Sequence, residues 1–317
     1  MKIILMGSPD FGIPAFRKII ECGYDVPAVV TVPDKQKGRG LKVQFSDVKK
    51  FAIENNIDIL QPENLKSKEF IDSLRNYNPD LFIIIAFRIL PKEIFSIPRL
   101  GSINLHASLL PKYRGAAPIN HAIINGETKS GITTFFLDES VDTGSIILQK
   151  EISIDINDTF GDVYYRMSET GADVVMDTIN LIKHKSYVLK KQDSSQSSKA
   201  PKIFRKDCLI NWNKDSASLH NFIRGLSPVP AAYTQRNGKV YKILKSRLSI
   251  NKSVMESGIL FSADKKLFIS TSDYDLEILS IQPEGKKPMS AKDFINGMIS
   301  DKIVFDNLTP QNIHGAI

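Results

Sequence analysis

Apolar residues in the first part of the chain come in short runs separated by longer stretches of mixed polarity. Lys2–Met6, Val26–Val32, Ile57–Leu60 and Asp80–Ala86 read as strands, the last an unbroken D-L-F-I-I-I-A of the kind buried on both faces. Between them, Ile13–Glu21, Ser46–Asn55 and Ser67–Asn76 read as helices, with Asp10 able to cap the first. Strand alternating with helix predicts an α/β domain built on a doubly wound, Rossmann-like sheet. The first turn, G-S-P-D-F-G, has its glycines at 7 and 12, so the G-x-G-x-x-G dinucleotide fingerprint is absent. Further strands are expected at Gly101–Pro111, Gly131–Leu137 and Ser145–Ile154, and a helix at Ile119–Asn125. The long helix expected at Thr159–His184 carries Val163, Met167, Val174, Val175, Ile179 and Ile182 as an apolar stripe, a core face.

The pattern changes at Lys190–Asp207, which is rich in Ser, Gln and Lys and has no periodicity. This divides the chain into a domain at 1–189, a basic linker at 190–207 and a domain at 208–317. Beyond the linker Ile210 and Trp212 have strand-like spacing and Ser216–Ile223 is helical. Short strands then follow at Ala232–Arg236, Lys239–Ser246, Gly258–Phe261, Leu267–Thr271 and Leu276–Gln282, broken by Gly, Asn and Asp turns. They suggest a small β-barrel, although strand spacing alone fits a sandwich equally. Ser290 is placed to cap a short helix in Gly285–Phe294. No internal repeat is evident.

Charge sharpens this division. The net charge is +7, with 22 Lys and Arg against 23 Asp and Glu over 1–189, 6 against 2 over 190–207, and 14 against 10 over 208–317. A basic linker and second domain suit a phosphate-rich partner, and they equally suit a solvated lysine-rich surface. The two cysteines, Cys22 and Cys208, offer neither a disulfide framework nor a zinc site, and no metal-ligand spacing appears. The apolar start is too short for a leader peptide, and the longest apolar run, Leu81–Phe87, is far short of a membrane span. A cytoplasmic monomer is expected, since no apolar seam for a partner stands out.

The candidate chemistry lies in G-S-I-N-L-H-A-S-L-L-P-K-Y, Gly101–Tyr113. Ile103, Leu105 and Ala107 alternate with Asn104, His106 and Ser108, so Asn104 and His106 project from one face of a strand that Pro111 ends. An amide of fixed orientation beside an imidazole that can give or take a proton makes a compact polar site. Alone, the pattern fits a strand with one wet face just as well. A second stretch, F-F-L-D-E-S-V-D-T-G, puts Asp142 just past another strand, where a carboxylate can orient His106. His121, inside its helix, reads as packing or surface.

The blocks N-L-H-A-S-L-L-P, Y-R-G-A-A-P-I-N and V-D-T-G resemble the signature of the folate-dependent formyltransferases, and the resemblance runs from Met1 almost to the C-terminus. Within that family the chain most resembles the members acting on methionyl-tRNA. The resemblance implies a Rossmann-like formyltransferase domain followed by an OB-like β-barrel that binds tRNA. It implies 10-formyltetrahydrofolate as formyl donor, no metal, and initiator methionyl-tRNA as partner. It makes Asn104, His106 and Asp142 the catalytic residues. The loop Phe87, Arg88, Ile89 and Leu90 would hold the pteridine through its backbone, with Ser108, Leu109, Leu110 and Pro111 shaping the site. F-R-I-L-P departs from the commoner family form, which carries a Gly and one more residue after the aromatic. In Pro33–Phe45, a basic loop with glycines flanking Arg39, the resemblance makes Arg39 a tRNA contact, and Lys42, Lys202, Arg205 and Lys206 extend that surface.

Three other readings share much of this pattern. A family member acting on an amino-sugar nucleotide would carry the same three residues, as would a formyltetrahydrofolate hydrolase using water. A non-catalytic RNA-binding protein on the same fold would have no need for Asn104, His106 and Asp142 together.

Overall fold

The computed structural model describes residues 1–37, 42–298 and 300–306. Its first strands and helices are β1 (Ile3–Gly7), α1 (Ile13–Glu21), β2 (Ala28–Val30), β3 (Lys35–Lys37), β4 (Lys42–Gln44), α2 (Asp47–Glu54), β5 (Asp58–Leu60), α3 (Lys68–Asn76), β6 (Leu81–Ile85), α4 (Lys92–Phe95) and β7 (Ser102–His106). There follow α5 (Pro118–Ile124), β8 (Lys129–Phe136), β9 (Ile146–Ser153) and α6 (Phe160–His184). Then come α7 (Ser216–Leu226), β10 (Ala232–Arg236), β11 (Lys239–Lys252), β12 (Ile259–Ala263), β13 (Lys266–Ile269), β14 (Tyr274–Pro283), β15 (Met289–Ser290), α8 (Ala291–Asn296) and β16 (Lys302–Val304).

Packing divides the chain into two units, and not in sequence order. The first comprises 1–115, 130–153 and 164–200, and the second 116–129, 154–163 and 201–317. The segment 190–200, read as linker from its composition, thus belongs to the first unit. Helix α5, which lies between strands of the first sheet in sequence, belongs to the second.

In the first unit a seven-stranded sheet runs β5-β2-β1-β6-β7-β8-β9. The pairs β5–β2, β2–β1, β1–β6 and β6–β7 are parallel, while β7–β8 is antiparallel. Strand order reverses between β1 and β6, so their carboxyl ends open the crevice where sheets of this winding take their ligands. Every residue of β1 and of β6 is buried, as the unbroken apolar runs require. Ser46 and Ser67 cap α2 and α3 by accepting from the Lys49 and Phe70 amides. Asp10 does not cap α1. A 3₁₀ turn over Asp10–Gly12 intervenes, and the Asp10 carboxylate instead accepts from Tyr164 Oη at 2.6 Å. Burial, reinforced by Asp10, pushes the Tyr164 phenol well above its ordinary pKa. Gly171 lets α6 lie close over β7, since a Cβ there would stand 2.9 Å from Leu105 Cδ2, between Asn104 and His106 in sequence.

The second unit is a sheet in the order β10-β11-β14-β13-β12-β16, with β15 added to β14 and every pair antiparallel. Past β16 the Asp306 amide donates to the Gln235 carbonyl on β10 at 2.8 Å, a contact between the two ends of this antiparallel sheet. β11 is longer than its pattern predicts and carries register shifts between Ile243 and Lys252. Trp212, fully buried, donates Nε1–H to Thr234 Oγ1 and stacks on Phe305. Helices α5 and α7 pack together, with Asn120 Nδ2 donating to the Gly225 carbonyl at 2.8 Å. His121, on α5, donates to the Pro201 carbonyl, which is structural work. Ser290 caps α8 as expected. Among the described residues no helix is long and apolar enough to cross a membrane.

Candidate active site

Strand β7 ends at His106, earlier than the alternation through Ser108 predicts. The backbone turns away there because Ser108 is used to hold a loop: its Oγ donates to the Lys112 carbonyl at 2.6 Å, and its own carbonyl accepts from Thr133 Oγ1 at 2.7 Å. β7 is buried along its length except at Asn104, which is half-buried. His106 is 6% exposed, and its register neighbours are Thr133 on β8 and, for Asn104, Ile84 and Phe135.

The His106 ring stands between two acceptors. Nε2 lies 2.8 Å from the Tyr113 carbonyl, and because a carbonyl can only accept, Nε2 carries a proton. Nδ1 faces Asp142 Oδ2 at 3.8 Å, longer than a hydrogen bond, as catalytic pairs often are before substrate engages them. The same Asp142 oxygen accepts from the Gly115 amide at 2.9 Å. Asp142 sits at φ +56, in the left-handed region that Asp tolerates better than most residues. The turn also needs its glycine for space: a Cβ at Gly144 would stand 1.7 Å from the Phe136 carbonyl oxygen. Thr143 closes it from the other side by donating to Asp138 at 2.6 Å.

Asn104 Oδ1 is buried and finds no partner among the described residues. Such a group is costly and is retained where function needs it. With Oδ1 unpartnered among the described residues, the amide can turn its NH2 to an incoming oxygen.

The loop after β6 leaves the sheet beside Asn104. Ala86 turns it at φ +50, Leu90 anchors it in the core with Ile4, Met6 and Val30, and Ile89 is 74% exposed. Arg88 donates to the carbonyls of Pro62 and Glu63, packs on the Phe87 ring, and leaves Nε buried without a partner among the described residues. Burial lowers its guanidinium pKa. Arg88, Ile89 and Leu90 line a groove of about 640 Å³ together with Glu63–Lys66, Pro91–Glu93, Phe95 and Glu139. Glu139 lies in the loop that carries Asp142, and its carboxylate pairs with Lys92 at 2.5 Å.

The other expected residues fall into three groups. Ser108 and Leu110 are sealed into loop and core, Leu109 packs against Gly131, and Pro111 follows them as the half-buried end of S-L-L-P. Lys202, Arg205 and Lys206 are exposed in the second unit, with Lys202 over the Phe204 ring and Arg205 over Tyr233. Arg39 lies outside the described residues, and for Lys42 only its place in β4 is described. Sequence reasoning missed Gln192 and Arg114, whose amide and guanidinium bond to each other beside Asp142. Among the described residues no cluster of His, Cys, Asp and Glu could hold a metal ion.

Comparison with known proteins decides what this geometry belongs to. Residues 1–179 match the formyl transferase family and residues 202–298 its C-terminal domain. The chain belongs to the formyl transferase family.

Among curated relatives, the methionyl-tRNA formyltransferase of Clostridioides difficile (strain 630) is 44% identical over 94% of this chain and 97% of its own length. That of Porphyromonas gingivalis is 45% identical over 94% and 95%. Among solved structures, the sugar 3N-formyl transferase WlaRD, obtained in the presence of dTDP and 5-N-formyl-THF, is 27% identical. It superimposes with a TM-score of 0.65 over 90% of this chain and 99% of its own. An N-formyltransferase from Helicobacter canadensis, in complex with folinic acid and dTDP-3-aminofucose, is 26% identical at a TM-score of 0.64, over 89% and 99%. Family membership accounts for the two-part architecture.

Proposed function

We infer that the protein transfers the formyl group of 10-formyltetrahydrofolate to the amino group of methionyl-tRNA, the step that prepares the initiator for translation. The observation that carries the chemistry is the meeting of three groups at the end of β7: Asn104, whose Oδ1 has no partner among the described residues, His106, and Asp142 at 3.8 Å from Nδ1. What favours this acceptor is that relatives at 44–45% identity over nearly the whole chain are methionyl-tRNA formyltransferases, whereas the sugar enzymes stand at 26–27%.

The folate donor supplies the formyl carbon on N10 and takes up a proton on that nitrogen as the bond to it breaks. Asn104 donates its amide N–H to the formyl oxygen, where negative charge grows as the neutral amine attacks. His106 is held by Tyr113 through Nε2, so Nδ1 is its working nitrogen, facing Asp142 and able, once protonated, to deliver a proton to the leaving nitrogen. Asp142 takes the proton lost by the attacking amine and returns it through the ring. The groove lined by Arg88–Leu90 and Glu139 is assigned to the folate, and Phe87 and Ser108–Pro111 are assigned to the same co-substrate. Arg39, Lys42, Lys202, Arg205 and Lys206 are assigned to the tRNA backbone, whose binding then weakens steeply with salt. The protein works as a single chain in the cytoplasm.

Formyl transfer measured side by side to Met-tRNA, to an amino-sugar nucleotide and to water tests this reading. Transfer to Met-tRNA alone is expected. Transfer only to the sugar would overturn the acceptor, and no turnover by folded protein would overturn the enzyme.

A further inference from the structure

Gln192 lies in the segment whose composition reads as linker, yet it is 8% exposed. Its amide makes four hydrogen bonds. Nε2 donates to the carbonyl oxygens of Asp142 and Gly144, both at 2.9 Å. Oε1 accepts from Arg114 Nε at 3.1 Å and from Nη2 at 2.7 Å. A carboxamide has two protons and two lone pairs to offer, so all are used. Turning it over would set NH2 against a guanidinium and oxygen against two carbonyls. Its orientation is therefore fixed.

Both ends of this clamp bear on the reacting pair. The two carbonyls flank Thr143 in the turn that holds Asp142 at φ +56, a backbone state that surrounding bonds must stabilise. Arg114 stands between Tyr113, whose carbonyl takes His106 Nε2, and Gly115, whose amide holds Asp142 Oδ2. The same segment is stitched to that loop by its backbone: Arg114 N donates to the Ser198 carbonyl at 2.8 Å and Ala200 N to the Arg114 carbonyl at 2.7 Å. At its start it pairs with β9 through Lys190 and Ile146.

We propose that Gln192 is a positioning residue for formyl transfer, locking the Asp142 turn to the Arg114 loop so that the carboxylate faces His106 Nδ1. The proposal rests on the reading of Asn104, His106 and Asp142 as the reacting site. Gln192 touches no reacting atom and acts through Asp142. Glu at this position would keep an acceptor for Arg114 and lose the protons given to the two carbonyls, which separates anchoring Arg114 from holding the turn.

The test measures kcat, and KM for 10-formyltetrahydrofolate and for Met-tRNA, in wild type, Gln192→Ala, Gln192→Glu, Asp142→Asn and the Gln192→Ala/Asp142→Asn double variant, with thermal midpoints alongside. Gln192→Ala and Gln192→Glu are each expected to lower kcat on the order of 10- to 100-fold while both KM values stay within about threefold. In the double variant the loss is expected to equal that of Asp142→Asn within about twofold, because the two residues act as a unit. If Gln192→Ala does not fold, Gln192→Glu carries the comparison. Wild-type kcat in Gln192→Glu, or losses that multiply in the double variant, would overturn the proposal. Full activity in Asp142→Asn would instead remove the reading of the reacting site on which it rests.

Discussion

His106 Nε2 lies 2.8 Å from the Tyr113 carbonyl oxygen, and this contact with Tyr113 determines which ring nitrogen is left for chemistry. When the ring is neutral its proton stays on Nε2 and Nδ1 is the base. Nitrogen-15 NMR of the histidine-labelled protein is expected to report the Nε2–H tautomer for His106. A majority of Nδ1–H would contradict the arrangement.

Asn104 should separate activity from stability. Its buried Oδ1 has no partner among the described residues, a cost of about 1–3 kcal/mol that Asn104→Ala removes while leaving a small void. The thermal midpoint of Asn104→Ala is therefore expected to stay within a few degrees of wild type or rise. Transfer, losing a donor to the oxyanion worth about 2.7–4 kcal/mol, is expected to fall by a factor on the order of hundreds. Loss of both together in calorimetry and assay would make the residue a packing element.

Gly115→Ala should damage the Asp142 site from a distance. Gly115 has φ +122, and a Cβ there would stand 2.6 Å from the Ala200 carbonyl oxygen, a backbone atom with no room to yield. The Gly115 amide that holds Asp142 must then move. A loss of about 1–3 kcal/mol in urea unfolding is expected, with reduced transfer. A wild-type midpoint would contradict the packing.

The second unit should lose stability in mild acid through His220. This ring is 2% exposed, between Ser246 Oγ at 2.9 Å and the Ile156 carbonyl at 2.8 Å. Burial, aided by Arg224 and opposed by the Ile156 carbonyl, holds its pKa below the ordinary 6.5. The unfolded chain therefore takes the proton first. Stability from this group is complete above the unfolded value and is lost as pH falls through it toward the folded one. Unfolding midpoints between about pH 7 and 5 should drop for wild type and drop less for His220→Gln. Equal slopes would contradict the assignment.

Much of this was legible in the sequence because its signals are local. The runs at Lys2–Met6 and Leu81–Ile85 are buried on both faces, the alternation at Asn104 and His106 does set them on one strand, and the D-T-G turn does bring Asp142 to the ring. What could not be read depends on contacts distant along the chain. Asp10 looks like a cap until Tyr164, 154 residues later, takes its carboxylate. The segment around Gln192 has the composition of a linker, and contacts such as its pairing with Arg114, 78 residues earlier, make it framework. Helix α5 lies between strands of the first sheet in sequence, but Gly225 on α7 gives it a seat in the second unit.

Single-turnover formyl transfer to saturating Met-tRNA, for wild type beside Asn104→Ala, His106→Ala and Asp142→Asn, shows whether these three residues carry the reaction. Each rate constant is predicted to fall by a factor on the order of hundreds or more, with affinity for 10-formyltetrahydrofolate held within a few-fold. Transfer near the wild-type rate by His106→Ala or Asp142→Asn, with the protein folded and both substrates bound, would contradict that role.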